Sequence, residues 1–128
     1  MKRDHSHFAG QIGGLGGKNT NTLAKETDLA IAIGTKLADF TTGSWANFEN
    51  KNFKLVSINV SRFDANKHLG QAVIGDAKVS LTELSQALGS WKAGEEWNKK
   101  SQTELKSCLL YTSPSPRDQR GSRMPSSA

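Results

Sequence analysis

The sequence predicts an α/β fold with about three parallel strands and flanking helices, which amounts to half of a Rossmann-like sheet. Two observations predict this class. The continuous apolar run Leu29–Ile33 is typical of a strand that is buried on both faces, and short strand-like and helix-like segments alternate along the chain. Doubly wound folds usually contain five or six strands, so three strands correspond to one half.

The first predicted elements are a loop and a helix. Five glycines within Gly10–Gly17 indicate a loop with unusual backbone freedom. Lys18–Glu26 then reads as a short helix, for which Asn19 or Thr20 provides the N-cap. Its inward-facing residues are predicted to be Leu23 and Ala24.

Three strands follow in the prediction. After Leu29–Ile33 comes a polar connection, Thr35–Phe48, whose aromatic spacing suggests one helical turn near Trp45–Phe48. Phe53–Val60 is the second strand and Gln71–Asp76 the third.

Helices close the predicted domain. Ser80–Glu83 has the pattern of a capping box, in which the Ser and Glu side chains satisfy each other's backbone N–H groups. Gly89 can end this helix, and Trp91–Lys106 is a charged, weakly amphipathic segment that suits a linker helix. The apolar face of the first of these helices is predicted to contain Leu81, Leu84 and Leu88.

Length and composition limit the function classes. The chain has 128 residues, with 17 Lys and Arg against 12 Asp and Glu, so its formal net charge is +5. The longest apolar run is five residues, far short of the ~18–20 that a membrane span needs, and we expect no membrane partner. The single cysteine, Cys108, excludes an internal disulfide and a CxxC zinc site.

The C-terminal residues differ in composition from the rest. All three prolines and the only Tyr lie after Ser107, and residues 108–128 have no helical or strand period, which predicts a disordered tail. Cys108–Asp118 and Ser122–Ala128 resemble the conceptual translation of a transposase-type sequencing adapter, so we interpret the tail as non-native. A natural tail is the alternative. Its three arginines lack interleaved aromatic residues, and we expect no nucleic-acid partner.

The glycine loop matches neither phosphate-binding motif. In a P-loop, a Ser or Thr follows the Gly-Lys pair, but Asn19 follows Gly17-Lys18 here. Asn19 also occupies the position at which a dinucleotide-binding fingerprint has its third glycine. We therefore interpret the loop as a tight turn. Ligands of open α/β sheets bind at the carboxyl ends of the strands, and this general rule is the basis for predicting a nucleotide crevice there. Its candidate residues are Gly34, Thr35 and Asn59.

No metal site and no catalytic residue is predicted. His5 and His7 alternate as on one face of a strand, but no carboxylate or Cys cluster accompanies them. Asp76 lies at the end of an element, where a carboxylate usually caps a turn or helix. Ser44 and Ser57 lack the sequence context of a nucleophile elbow.

Several segments together point to one enzyme family. They are Gly10-x-x-Gly13-x-x-Gly16, Asp28–Thr35, the strand at Lys54–Val60, and Gly75-Asp76-Ala77. With these signals, the chain from His7 to about Trp97 resembles the central domain of thiamine-diphosphate-dependent enzymes. Asp39–Trp45 and Phe63–His68 look most like the subfamily that hydrolyses trihydroxycyclohexane-1,2-dione in myo-inositol breakdown.

The resemblance implies a cytoplasmic, homo-oligomeric parent enzyme with pyrimidine-binding, central and pyrophosphate-binding domains. The parent would use thiamine diphosphate and Mg²⁺ as cofactors for opening the cyclic dione to 5-deoxyglucuronate. The family's activating glutamate and Gly-Asp-Gly motif belong to the other two domains. The chain is thus expected to be an inactive scaffold fragment without catalytic, cofactor or metal ligands, and its partners would be those missing domains.

The resemblance also divides the chain. Residues 1–9 are a leader remnant, 10–90 a partial central domain holding the second half of its sheet, 91–107 a linker helix and 108–128 the adapter-derived tail. Leu29–Ile33 would then be an unpaired apolar edge, and we expect an aggregation-prone or loosely packed fragment without affinity for thiamine diphosphate.

Two alternatives stay open. One is another thiamine-diphosphate enzyme, of the acetolactate synthase type, although the residues around Thr42-Gly43 differ in that group. The other is a Rossmann-like module that binds ADP, FAD or NAD. A sirtuin-type deacylase shares a similar Asp28–Thr35 segment, but Lys36 stands where that family has Ser, and its CxxC pairs are absent.

Overall fold

The computed structural model describes residue 5 and residues 7–110, and for residues 105–110 it describes the backbone alone. Its sheet has three parallel strands in the order β1-β2-β3, which confirms the predicted fold class. The elements in chain order are α1 (Lys18–Glu26), β1 (Leu29–Ile33), α2 (Asp39–Thr42), β2 (Lys54–Asn59), α3 (Arg62–Asn66), β3 (Gln71–Ile74), α4 (Ala77–Leu88) and α5 (Glu95–Leu110).

The strand register places small side chains in the middle of one face. Ser57 of β2 lies opposite Ala32 of β1 and Ala72 of β3. Because paired residues of parallel strands point to the same side, these three form one row across the sheet. All three strands run in one direction, so their carboxyl ends meet at one edge, where the candidate residues lie.

One core cluster joins the sheet to the connection between β1 and β2. Ala32 and Leu55 of the sheet are buried together with Leu37 of that connection, and Trp45 and Phe53 pack against them. The connection that was predicted to be polar thus packs against the sheet. Its aromatic rings supply the apolar surface for this contact.

The prediction that β1 is buried on both faces was wrong. Leu29, Ile31 and Ile33 are 49%, 41% and 39% exposed, whereas Ala32 between them is buried. The three exposed residues alternate along β1 and therefore share one face of the strand, which the described part of the chain covers only in part. β1 also lies at the edge of the sheet and pairs with β2 alone among the described residues. The expected unpaired apolar edge is confirmed.

Both predicted caps were wrong. The N-cap of α1 is Gly17, which has no side chain to bond the first turn. The two predicted cap residues bond elsewhere: the Thr20 hydroxyl donates to the Ala9 carbonyl oxygen (2.7 Å), and the Asn19 amide donates to a carbonyl oxygen of α5. The helix α4 begins before the capping box: the Asp76 carboxylate accepts from the N–H groups of Lys78 (2.9 Å) and Val79 (3.0 Å). As a result, the Ser80 box lies within α4.

The helical turn between β1 and β2 also differs from the prediction. It is α2, at Asp39–Thr42, and not Trp45–Phe48. The next three residues, Gly43, Ser44 and Trp45, have φ of 61°, 53° and 71°, which no right-handed helix accommodates. Helix α3 in the β2–β3 connection was not predicted.

The last two helices are largely exposed. Helix α4 ends at Gly89 as predicted, but none of its residues is buried. Helix α5 packs on α1 and continues to Leu110, three residues past the predicted end at Ser107. The predicted disorder beyond Leu110 lies outside the described residues. Within the described part of the chain, no helix is both long and apolar enough to cross a bilayer.

Candidate functional site

The three crevice candidates meet at the carboxyl edge of the sheet. The Gly34 N–H donates to the Ile58 carbonyl oxygen, with 2.9 Å between N and O, which continues the β1–β2 ladder by one residue. The Asn59 Nδ2 donates to the Thr35 carbonyl oxygen at 3.2 Å. The structure therefore brings Gly34, Thr35 and Asn59 together, as their positions after neighbouring parallel strands predict.

The Asn59 side chain is used to fasten this edge. Its Oδ1 accepts from the Ser61 N–H (3.0 Å), while its backbone carbonyl accepts from the Gly75 N–H (3.1 Å). Only 8% of the residue is exposed. Asn59 thus joins the ends of three strands through its side-chain amide and its backbone. A nucleotide-binding role for these residues stays a prediction.

The N-terminus of α4 at this edge is already occupied. The Asp76 carboxylate accepts from two of the N–H groups of the first turn, which are the groups that would otherwise bind a phosphate. A phosphate would also meet the negative charge of this carboxylate. The β3–α4 turn is therefore built to end a strand and start a helix.

The glycine loop is closed by contacts with its neighbours. Asn21 of α1 bonds Gly13 twice, accepting from its N–H (2.9 Å) and donating to its carbonyl oxygen (3.1 Å). A Cβ on Gly13, where φ is +91°, would lie 2.2 Å from the Phe40 carbonyl oxygen. The adjacent Gly14 N–H donates to that same oxygen (2.9 Å). These amides are thus committed within the fold, in agreement with the tight-turn interpretation.

The described residues offer no cluster that fits a divalent cation. No group of three or more His, Cys, Asp or Glu with metal-binding geometry is found among residues 5 and 7–104, whose side chains the structure describes. The His5 and His7 rings lie 5.6 Å apart, and the His7 N–H donates to His5 Nδ1 (3.2 Å). Two neighbouring histidines do not fit the magnesium ion or the diphosphate group of a thiamine enzyme. We therefore assign these residues no part in the cofactor's chemistry.

Two features escaped the sequence reasoning. Among the described residues, the buried Ser57 hydroxyl has no hydrogen-bond partner, and an apolar cavity of about 1030 Å³ lies beside β1. The apolar run at Leu29–Ile33 was the only signal for the cavity. The alternation of exposed and buried residues in β1 depends on what packs against the strand, which a local pattern does not contain.

Comparison with known proteins assigns the family. The chain is 41% identical over 88 residues to the 3D-(3,5/4)-trihydroxycyclohexane-1,2-dione hydrolase of Clostridium perfringens strain 13, and 44% identical over the same length to the corresponding hydrolase 2 of Bacillus cereus. Each match covers 69% of this chain and 14% of the relative, so the chain spans about a seventh of these relatives. Residues 1–84 match the family model for the central domain of thiamine pyrophosphate enzymes, and the chain belongs to this family.

Proposed function

We propose that this chain is a structural piece of a thiamine-diphosphate-dependent hydrolase that opens trihydroxycyclohexane-1,2-dione to 5-deoxyglucuronate in inositol breakdown. The names of the similar proteins support the substrate, and the matching central-domain model supports the place of the piece within the enzyme. We further propose that the parent is a cytoplasmic homo-oligomer that also uses Mg²⁺. In it, pyrimidine-binding and pyrophosphate-binding domains would flank this one.

The scaffold role is supported by the hydrogen bonds of three polar side chains. The amide of Asn59, the carboxylate of Asp76 and the amide of Asn21 all bond the chain's own backbone. Side chains that are bonded in this way hold the loops in place. Residues 10–90 would hold the catalytic domains in register, and the chemistry at the ring carbonyl would be supplied by the cofactor held in those other domains.

A chimera tests this proposal. Residues 10–90 replace the matching segment of the Bacillus cereus hydrolase, and the ring-opening rate is measured with and without thiamine diphosphate. We expect a folded, cofactor-dependent hydrolase. The matched control carries Gly13→Ala in the same segment, which should destabilise the fold and thereby lower the activity. A folded chimera that no longer binds thiamine diphosphate would contradict the scaffold role.

The same design separates the alternatives. If the parent were of the acetolactate synthase type, the segment would support activity in an acetolactate synthase host and fail in the hydrolase. The juxtaposition of Thr35 and Asn59 favours testing the nucleotide module directly. Saturable binding of ADP, FAD or NAD to the chain, lost in Asn59→Ala, would support that module in place of the scaffold.

A further inference from the structure

The outer edge of β1 carries backbone groups that the sheet does not use. The β1–β2 ladder runs from the Asp28 carbonyl oxygen, 2.7 Å from its donor on β2, to the Gly34 N–H, 2.9 Å from its acceptor on β2. Backbone groups along a strand point alternately to its two edges, so the even-numbered residues between these ends also bond β2. The residues whose N–H and C=O groups point to the free edge are Leu29, Ile31 and Ile33. Within the described part of the chain, these groups have no hydrogen-bond partner.

The surroundings of this edge leave room for a further strand. Leu29, Ile31 and Ile33 have their side chains on one face of β1 and are partly exposed. Among the described elements, β2 is the only one that packs closely on β1. A free edge with apolar side chains is a template for another strand. Its occupant must offer both unpaired backbone groups and an apolar face.

A second copy of β1 meets both requirements when it runs antiparallel to the first. If Ile31 lies opposite Ile31 of the second copy, then Leu29 lies opposite Ile33 of that copy. Each of these facing pairs can exchange two N–H to C=O bonds, because the groups of all three residues point to the shared edge. The register is the same when it is read from either copy, as a two-fold axis requires.

The charges at the two ends of β1 favour the same direction. Asp28 directly precedes β1, Lys36 follows its last residue by three positions, and both are exposed. Antiparallel pairing brings the acidic end of one strand to the basic end of the other. A parallel pair would place like charges together, which is unfavourable.

We propose that a second copy of this chain docks on the free edge of β1 and forms a closed dimer. The two three-stranded sheets then join into one six-stranded sheet, with Ile31 on the two-fold axis. The junction between the copies is antiparallel, and the strands within each copy stay parallel. This inference concerns the chain by itself and does not rest on the proposed enzymatic function.

Cysteine variants of the full chain test the register. In a Cys108→Ser background, Ile31→Cys, Leu29→Cys and Val79→Cys are each oxidised with copper–phenanthroline, and disulfide-linked dimers are measured on non-reducing gels. The two Cα atoms of position 31 would lie about 5.5 Å apart, within the range of a disulfide, and those of position 29 about 14 Å apart. Val79, an exposed residue of α4, controls for random collisions. We expect Ile31→Cys to cross-link at least about fivefold faster than either of the others.

A mixed pair and the oligomeric state complete the test. Leu29→Cys protein mixed with size-tagged Ile33→Cys protein should form the mixed dimer in preference to both homodimers, and far-UV circular dichroism checks that each variant is folded. Sedimentation velocity of the unmodified chain should show a monomer–dimer equilibrium. Equal cross-linking of Ile31→Cys and Val79→Cys overturns the proposal. So does an unmodified chain that stays monomeric at every concentration or grows beyond the dimer.

Discussion

The indole of Trp45 stacks on the imidazole of His68, with the ring centroids 4.2 Å apart and the planes 22° from parallel. Trp45 belongs to the β1–β2 connection, and His68 to the turn between α3 and β3. The His68 Nε2 also lies 3.0 Å from the Leu37 carbonyl oxygen, and Phe53 meets the Trp45 ring edge-on at 6.3 Å. The Trp45 ring therefore joins the β1–β2 connection to the β2–β3 connection.

Trp45→Ala should destabilise the fold. The change removes the stack with His68 and the contacts with Phe53, and we expect the free energy of unfolding to fall by about 2–3 kcal/mol, less than for a fully buried ring. Urea unfolding followed by far-UV circular dichroism in dilute solution measures it. Trp91→Ala, at a largely exposed Trp, is the control and should change little. Equal effects at both positions would contradict the role given to Trp45.

Gly13→Ala should be destabilising for a different reason. The new Cβ would collide with the Phe40 carbonyl oxygen, and its φ of +91° is unfavourable for alanine, so we expect a loss of at least about 2 kcal/mol. Gly94→Ala is the matched control, since a Cβ there meets nothing. The same urea experiment compares them. A Gly13→Ala variant as stable as Gly94→Ala would show that the loop is not packed against α2.

The sequence predicted the sheet better than its surroundings. Apolar runs such as Leu29–Ile33 locate the strands, because β-propensity acts within a few residues. The cap at Gly17 depends on partners outside α1 instead: the Thr20 hydroxyl donates to the Ala9 carbonyl oxygen, and the Asn19 amide donates to the carbonyl oxygen of Glu104, which is 85 positions away. Long-range competition of this kind leaves no local pattern.

At the candidate site, too, the sequence predicted where residues lie but not how they are bonded. The strand ends predicted that Thr35 and Asn59 would be neighbours, since parallel strands end at one edge. That both polar atoms of the Asn59 amide are committed to the Thr35 carbonyl and the Ser61 N–H could not be predicted, because this depends on how two loops fold back. Residue type and position gave the location, and only the structure gave the bonding.

Ser57→Ala should be neutral or stabilising. The Ser57 hydroxyl is buried, in a residue that is 1% exposed, and finds no hydrogen-bond partner in the part of the chain that the structure describes. Its removal ends an uncompensated desolvation cost, and we expect a gain of up to about 1 kcal/mol. Ser57→Val, which adds volume in the row between Ala32 and Ala72, should cost about 1–3 kcal/mol. Thermal unfolding ranks the three proteins. A clear loss of stability in Ser57→Ala would mean that the hydroxyl is bonded in solution.

Ile31→Lys should reduce self-association of the chain. β1 presents a free edge with apolar side chains, and a lysine on an edge strand opposes pairing with a second copy because its charge must stay hydrated. Sedimentation velocity over a series of concentrations measures the monomer fraction, which should rise. Val79→Lys alters an exposed apolar residue of α4 and should have a smaller effect. If both variants acted equally, general surface charge and not the β1 edge would be responsible.

The central claim is that these residues are one structural part of a longer thiamine-diphosphate enzyme and that residues 108–128 are foreign to it. Long-read sequencing of the source genome across this locus tests the claim most directly. We predict an uninterrupted gene that encodes a pyrimidine-binding domain before this segment and a Gly-Asp-Gly motif after it, without residues 108–128. A gene that encodes all 128 residues, tail included, between its own start and stop signals would contradict the account.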